Sequence, residues 1–140
     1  MSSDVARRFL LEPNPAVWDK NFQEMKAAGV NKIRTGIWTA WKLYFDEKGE
    51  VKEEVLRAFE AFMLTAKKYD IPVIFTFFAF MPEMCGGKNA YLDPKSIAGQ
   101  KKFLSAFASR MKGAKDIIWD LINEPSFANP KNLWSCRPNY

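Results

Sequence analysis

The chain has 140 residues, 48% hydrophobic and 15% aromatic, which is enough for one hydrophobic core and predicts one domain or less. Its net charge of +5 comes from lysines and arginines spread mainly over predicted helix surfaces, which favours a solvated surface over nucleic-acid binding. With no histidine, two separated cysteines and no glycine-rich phosphate loop, the sequence excludes a Ser-His-Asp triad and a zinc site, so we expect no metal, no cofactor and catalysis by carboxylates alone.

The first predicted helix begins at Asn14 and Pro15, because asparagine caps free amide groups and proline is tolerated in the first turn. Its apolar stripe consists of Trp18, Phe22 and Met25. Gly29 is placed to end the helix in the left-handed conformation. Residues 31–38 are then predicted to form a strand.

The second predicted helix spans residues 51–69, after a turn. Its apolar stripe consists of Val51, Val55, Phe59, Phe62 and Ala66. Pro72 lies at the start of the next strand, where a missing amide is harmless. Residues 73–80 are almost continuously apolar, which is typical of a strand covered on both faces in a parallel sheet.

Asp93 and Pro94 repeat the capping pattern and begin a third predicted helix, which ends at Gly113. Its apolar stripe consists of Ile97, Leu104, Phe107 and Met111. Residues 116–123 form the last predicted strand. The order βαβαβ indicates an α/β fold with parallel strands and right-handed crossovers.

An isolated sheet of this kind would expose a largely hydrophobic face and two strand edges to water. No covering helix is predicted between residue 125 and residue 140. We therefore expect either that further chain completes the fold or that copies of the chain self-associate.

The chemistry-bearing motif is the segment IIWDLINEPS at residues 117–126. A buried strand delivers Asn123 and Glu124 to its carboxyl end, where α/β barrels build their active sites, and Pro125 stops the strand. Strict alternation would send Asn123 and Glu124 to opposite faces, so a bulge or the end of the strand must intervene. A plain strand-terminating turn is the alternative interpretation.

The sequence Asn123-Glu124-Pro125 resembles the fourth-strand signature of the clan A glycoside hydrolases. These are the retaining barrel enzymes that include many cellulases, mannanases and β-galactosidases. The segment WDKNFQEMKAAGVNKIRTGIW, residues 18–38, is similar to their entry into the second strand. The resemblance implies a partial TIM (β/α)8 barrel, from about the second to the fourth strand. Residues 1–140 would then be a catalytic domain truncated after the fourth strand. The nucleophile would lie on the seventh strand, beyond residue 140, so the chain alone is expected to be inactive.

By the resemblance, Glu124 is the general acid/base, Asn123 binds the sugar 2-hydroxyl and Arg34 supports the nucleophile. Arg34 should point into the barrel, where a guanidinium needs a carboxylate, either the missing nucleophile or Glu124. A surface or inter-strand ion pair is the alternative. Asp120 lies on the same face as Glu124 and is either catalytic or, as we favour, a hydrogen-bonded polar residue of the barrel interior.

Aromatic residues near the predicted strand ends are candidates for stacking against sugar rings, and they could equally pack loops together. They are Trp38, Trp41 and Trp134. Cys85 and Cys136 are interpreted as free thiols, with a disulfide between them as the alternative.

The first functional hypothesis is therefore a retaining β-glycosidase that hydrolyses β-linked glycans or glycosides. Its partners would be a carbohydrate substrate and the rest of the barrel, with no nucleic acid and no membrane. The alternatives are a non-catalytic carbohydrate-binding or assembly module, and a doubly wound fold that binds an unrelated small ligand. The lack of a signal segment leans towards the cytoplasm.

Overall fold

The structure, a computed structural model, describes residues 9–37, 41–78 and 93–123. Helices and strands alternate along these ranges in the predicted order. They are α1 (Pro15–Ala27), β1 (Ile33–Gly36), a short 3-10 helix (Trp41–Tyr44), α2 (Glu53–Lys68), β2 (Val73–Phe78), α3 (Pro94–Arg110) and β3 (Ile117–Ile122).

The predicted helix caps are present. The side chain of Asn14 accepts a hydrogen bond from the backbone amide of Val17 at 3.2 Å, which begins α1. Asp93 does the same for the amide of Ser96 at 2.9 Å at the start of α3. Beyond the end of α1, Gly29 has a φ of 77°, the left-handed conformation that glycine adopts without steric cost.

Some predicted boundaries are wrong. Helix α2 begins at Glu53 rather than at residue 51, because Val51 forms an isolated antiparallel bridge with Phe45 instead of joining the helix. Strand β1 covers residues 33–36 and begins two residues later than predicted, and the predicted end at residue 38 lies outside the described residues. Helix α3 ends at Arg110, before Gly113. Local backbone pairing, which hydrophobic periodicity does not report, accounts for the late start of α2.

The sheet has the order β1-β2-β3, and both strand pairs are parallel. Residues in register across the sheet include Gly36, Thr76 and Asp120, which form one row. Because side chains alternate along a strand, these three positions share one face, and their neighbours at 35, 75 and 119 share the other. The predicted parallel βαβαβ arrangement is confirmed.

The aromatic core lies on the face of the sheet that carries Phe75 and Phe77. Phe59 of α2 packs edge-on against Phe75 with ring centroids 4.7 Å apart, and Phe107 of α3 packs edge-on against Phe77 at 5.5 Å. These four rings are completely buried. Helices α2 and α3 therefore cover the same face, whereas a doubly wound fold would place helices on both.

The buried face of α3 differs from the predicted stripe. Its fully buried positions are Phe103 and Phe107, with Gln100 nearly so, whereas Ile97 and Leu104 are only half-buried. Phe103 lies at the centre because its ring meets Phe107 at 4.7 Å. On β3, Ile118 and Leu121 are 46% and 53% exposed, so both faces of this strand are open to solvent at these positions.

Candidate active site

The site lies on the face of the sheet opposite the aromatic core, towards the carboxyl ends of the strands. Each strand contributes one polar side chain: Arg34 from β1, Thr76 from β2 and Asp120 from β3. Thr76 and Asp120 are in register, whereas Arg34 is in register with Ile74, two residues earlier. The long side chain of Arg34 spans this step towards the carboxyl ends, past Gly36, which has no side chain.

Arg34 binds two residues of the third strand and its end. Its Nε and Nη2 atoms donate to the same carboxylate oxygen, Oδ2 of Asp120, at 3.0 Å and 2.6 Å. Nη2 also donates to Oδ1 of Asn123 at 2.9 Å. Hydrogen bonds that include an ionised donor and acceptor are the stronger class in proteins, so this contact fixes the guanidinium relative to β3.

Asp120 is held from a second side by a buried hydroxyl. Thr76, which is completely buried, donates from Oγ1 to the same Oδ2 atom at 2.7 Å. Burial is the largest single influence on the pKa of Asp120 and raises it, but the hydrogen bonds from Thr76 and Arg34, with the charge of Arg34, together lower the pKa below its ordinary value. Asp120 is therefore ionised at neutral pH, which suits an ion-pair partner and not a proton donor.

Strand β3 ends directly before Asn123, whose side chain lies beside Arg34, and the position of Glu124 relative to it lies outside the described residues. The strand ends at Ile122, and Asn123 follows in a bend, with its backbone amide donating to the carbonyl of Phe78 at 2.8 Å. Beyond a strand end, successive side chains are no longer forced to opposite faces. Of the two devices considered, the end of the strand is the one found at Asn123.

Three residues that the sequence singled out, Arg34, Asp120 and Asn123, lie in the described ranges. Arg34 and Asn123 are brought together, and Asp120 is hydrogen-bonded, as the favoured interpretation expected. Among the described residues Arg34 pairs with Asp120, which is the inter-strand ion pair that was considered as the alternative. Its expected pairing with Glu124 or the nucleophile lies outside the described residues and stays a prediction.

Several predictions fall where the structure gives no description. Glu124 is the residue directly after the described range, and Trp38, Trp134, Cys85 and Cys136 also lie outside the described residues. Trp41 begins the 3-10 helix, but its side chain is not described.

Sequence analysis missed Thr76 and Gly36. Thr76 is the single polar residue in the run VIFTFF of β2, a signal that could have identified it. Gly36 gave no comparable signal, because its need for glycine comes from the approach of the neighbouring strand: a Cβ atom built there would lie 2.2 Å from the carbonyl oxygen of Thr76.

Metal sites, membrane-spanning helices and pockets are the other features of interest in the described part of the chain. Within the ranges 9–37, 41–78 and 93–123, no group of three or more histidine, cysteine, aspartate or glutamate side chains could hold a metal ion. Over the same residues, no helix has the length and apolar character needed to cross a membrane. A pocket of about 350 Å³ between Asn31 and Pro72 lies at the amino ends of β1 and β2, opposite the site.

Comparison with known proteins identifies the family. The model of the cellulase family, glycosyl hydrolase family 5, matches residues 10–140. The fold is similar to that of the β-mannanase from the blue mussel Mytilus edulis, with a TM-score of 0.63 at 20% identity over 86% of this chain and 38% of that one. It is also similar to the β-1,4-D-mannanase from Cryptopygus antarcticus, with a TM-score of 0.59 at 18% identity over 79% of this chain and 33% of that one.

The chain thus spans 38% and 33% of the length of these two structures. The comparison with curated protein sequences gave no match. At these identities the two structures support the fold, whereas the family model covers nearly every residue of the chain. The resemblance to clan A is confirmed: the chain belongs to glycosyl hydrolase family 5, and its three parallel strands form part of a (β/α)8 barrel.

Proposed function

We propose that this chain contributes to the hydrolysis of O-glycosidic bonds in β-linked glycans by a retaining double displacement. The observation that supports this most directly is the network of Arg34, Asp120 and Asn123 at the carboxyl ends of the strands of a family 5 chain. In barrel enzymes this end of the sheet carries the catalytic groups. Because the two similar structures are mannanases, one of them a β-1,4-D-mannanase, β-1,4-mannan is the first substrate to test. Cellulose is the second, because the family is that of the cellulases.

In the proposed mechanism Glu124 donates a proton to the leaving oxygen and later activates water. A retaining glycosidase needs a second carboxylate roughly 5 Å from the acid. Asp120 does not suit the role of acid, because its lowered pKa keeps it ionised and its charge is neutralised by Arg34. We propose that further strands of the barrel supply the nucleophile, and that residues 1–140 alone bind sugar without turning it over.

The test uses the complete polypeptide encoded with these residues, assayed for release of reducing sugar from β-1,4-mannan and cellulose. Glu124→Gln should lower kcat on polysaccharide by about 10²- to 10⁴-fold, the usual contribution of a general acid. The kcat/KM of an activated aryl glycoside, which reports the first step and whose leaving group needs no proton, should fall much less. Glu47→Gln, at an exposed turn position, is the matched control and should leave both activities unchanged.

Three outcomes would contradict parts of this proposal. Full activity of Glu124→Gln on mannan and cellulose would remove Glu124 from the role of acid. An initial product of inverted anomeric configuration, detected by NMR, would exclude the retaining mechanism. Binding of oligosaccharides by the complete polypeptide without hydrolysis would favour the alternative, a non-catalytic carbohydrate-binding module.

A further inference from the structure

The contact between Arg34 and Asn123 determines which end of the asparagine amide faces the arginine. A guanidinium has five N–H donors and no acceptor, so only the carbonyl oxygen of the amide can face it. The observed partner is Oδ1 of Asn123, at 2.9 Å from Nη2. The NH2 group of Asn123 is therefore directed elsewhere, and a group that binds it there must accept a hydrogen bond.

Arg34 needs a fixed position to orient Asn123, and Asp120 is a described partner that holds it there. One carboxylate oxygen of Asp120 accepts from Nε and Nη2 of Arg34 and from Oγ1 of Thr76. The hydroxyl is buried and belongs to the central strand, so it locates this oxygen relative to the sheet. The side chain of Arg34, by contrast, is 42% exposed and has many rotamers when unpaired.

We propose that Asp120 is a positioning residue that acts through Arg34 to orient the amide of Asn123, so that its NH2 group donates to a hydroxyl of the bound sugar. This inference rests on the proposed function, because it takes the ligand of Asn123 to be the sugar 2-hydroxyl. It adds the direction of that hydrogen bond and the residue on which the direction depends. Asp120 itself touches neither the sugar nor the reacting atoms.

The kinetic test compares a β-linked glycoside with its 2-deoxy analogue in the complete polypeptide and its variants. The ratio of the two kcat/KM values measures use of the 2-hydroxyl, and comparison between variants cancels the intrinsic reactivity of the analogue. Since hydrogen bonds to this hydroxyl strengthen in the transition state, the wild type should favour the hydroxylated substrate by about 10²-fold or more after this correction. Asn123→Ala should abolish that preference and define the baseline.

Asp120→Asn and Asp120→Ala should move the ratio at least about tenfold towards the Asn123→Ala baseline, since the amide is then free to rotate. Asp19→Asn, which breaks an ion pair of the same 2.6 Å length with Lys68 between α1 and α2, is the matched control and should leave the ratio unchanged. Equal losses on both substrates in the Asp120 variants would show a merely structural role and would overturn the inference. Thermal unfolding of each variant checks that it is folded.

A second measurement does not require turnover. In protein labelled with ¹⁵N at arginine and asparagine, the Arg34 Nε–H signal, assigned through Arg34→Lys, should be protected from solvent exchange. Asp120→Asn and Thr76→Val should speed its exchange and shift the side-chain amide signals of Asn123. Unchanged signals in both variants would overturn the inference even in an active enzyme. Protected signals in a wild type that hydrolyses no glycoside would instead refute the proposed function and leave the orientation of Asn123 supported.

Discussion

Replacing Gly36 with alanine tests whether the close approach of β1 to β2 is needed for the site. The added Cβ would lie 2.2 Å from the carbonyl oxygen of Thr76 and 2.8 Å from its Cβ. The first of these atoms belongs to the backbone, so no side-chain rotation relieves the clash. The φ angle of Gly36 is outside the left-handed region, and steric approach alone therefore explains the glycine.

The cost of Gly36→Ala follows from the movement it requires. Ordinary van der Waals contact begins at 3.4 Å, so the strands must separate locally by about 1.2 Å. The same carbonyl of Thr76 accepts from the amide of Ile37 at 3.0 Å, and such a separation would break that hydrogen bond. Overpacking costs about 1–3 kcal/mol and a lost backbone hydrogen bond about 1 kcal/mol, so the free energy of unfolding should fall by about 2–4 kcal/mol.

The assay is urea denaturation followed by far-UV circular dichroism. Gly49→Ala is the matched control, because Gly49 has a φ of 72° and nothing within 4 Å of an added Cβ, so it carries backbone strain of about 1–2 kcal/mol without a clash. Gly36→Ala should also reduce the protection of the Arg34 Nε–H group, whereas Gly49→Ala should not. A loss at Gly36 of less than about 0.5 kcal/mol would refute the steric reasoning.

Three further predictions follow from the described contacts. The difference in free energy of unfolding between wild type and Asp120→Asn should be full at neutral pH and decline as pH falls below about 4, because the pKa of Asp120 is lowered from 3.8 in the folded state. A difference that stays constant from neutral to acid pH in urea titrations would contradict this. Phe59→Ala, at a completely buried ring, should lower the free energy of unfolding by about 3–5 kcal/mol, and Leu64→Ala, 58% exposed on the same helix, should cost far less by the same assay. Burial raises the pKa of Tyr44, so its hydroxyl should not ionise before alkaline unfolding, and Tyr44→Phe should leave the spectrophotometric tyrosine titration of the folded protein unchanged. If Tyr44→Phe removed a titration step in the ordinary range of tyrosine, the raised pKa of Tyr44 would be contradicted.

Much of the fold could be predicted because local signals agree with the tertiary structure. Asn14 and Asp93 cap their helices as predicted, and the apolar run from Val73 onward forms the central strand. The late start of α2 comes from a local backbone contact outside the helix. Val51 pairs with Phe45 instead of starting α2, and hydrophobic periodicity carries no information about such a bridge.

The site could be predicted only in part, because the sequence does not show the register of the strands. The resemblance identified Arg34 and Asn123, but the partner of Arg34 depends on strand register. One step along a face of a strand is about 6.6 Å, which an arginine side chain spans, so Arg34 reaches Asp120 although the two are in different rows. The sequence allowed an inter-strand ion pair for Arg34 but did not identify Asp120 as the residue that forms it.

The dependence on register also explains why the site and the stability of the sheet are coupled. Arg34, Thr76 and Asp120 come from three different strands, and a slip of one residue in either strand pair would turn one of them to the opposite face. The ion pair is partly exposed, with side chains 42% and 24% accessible, so it contributes little stability by itself. On the other face Phe77 of β2 stacks on Trp119 of β3 with ring centroids 5.4 Å apart, a contact that supports the pairing of these two strands. Gly36 allows β1 to approach β2 closely. The polar network therefore depends on a strand register to which the aromatic core contributes, and we expect changes in the core to disturb the orientation of Asn123.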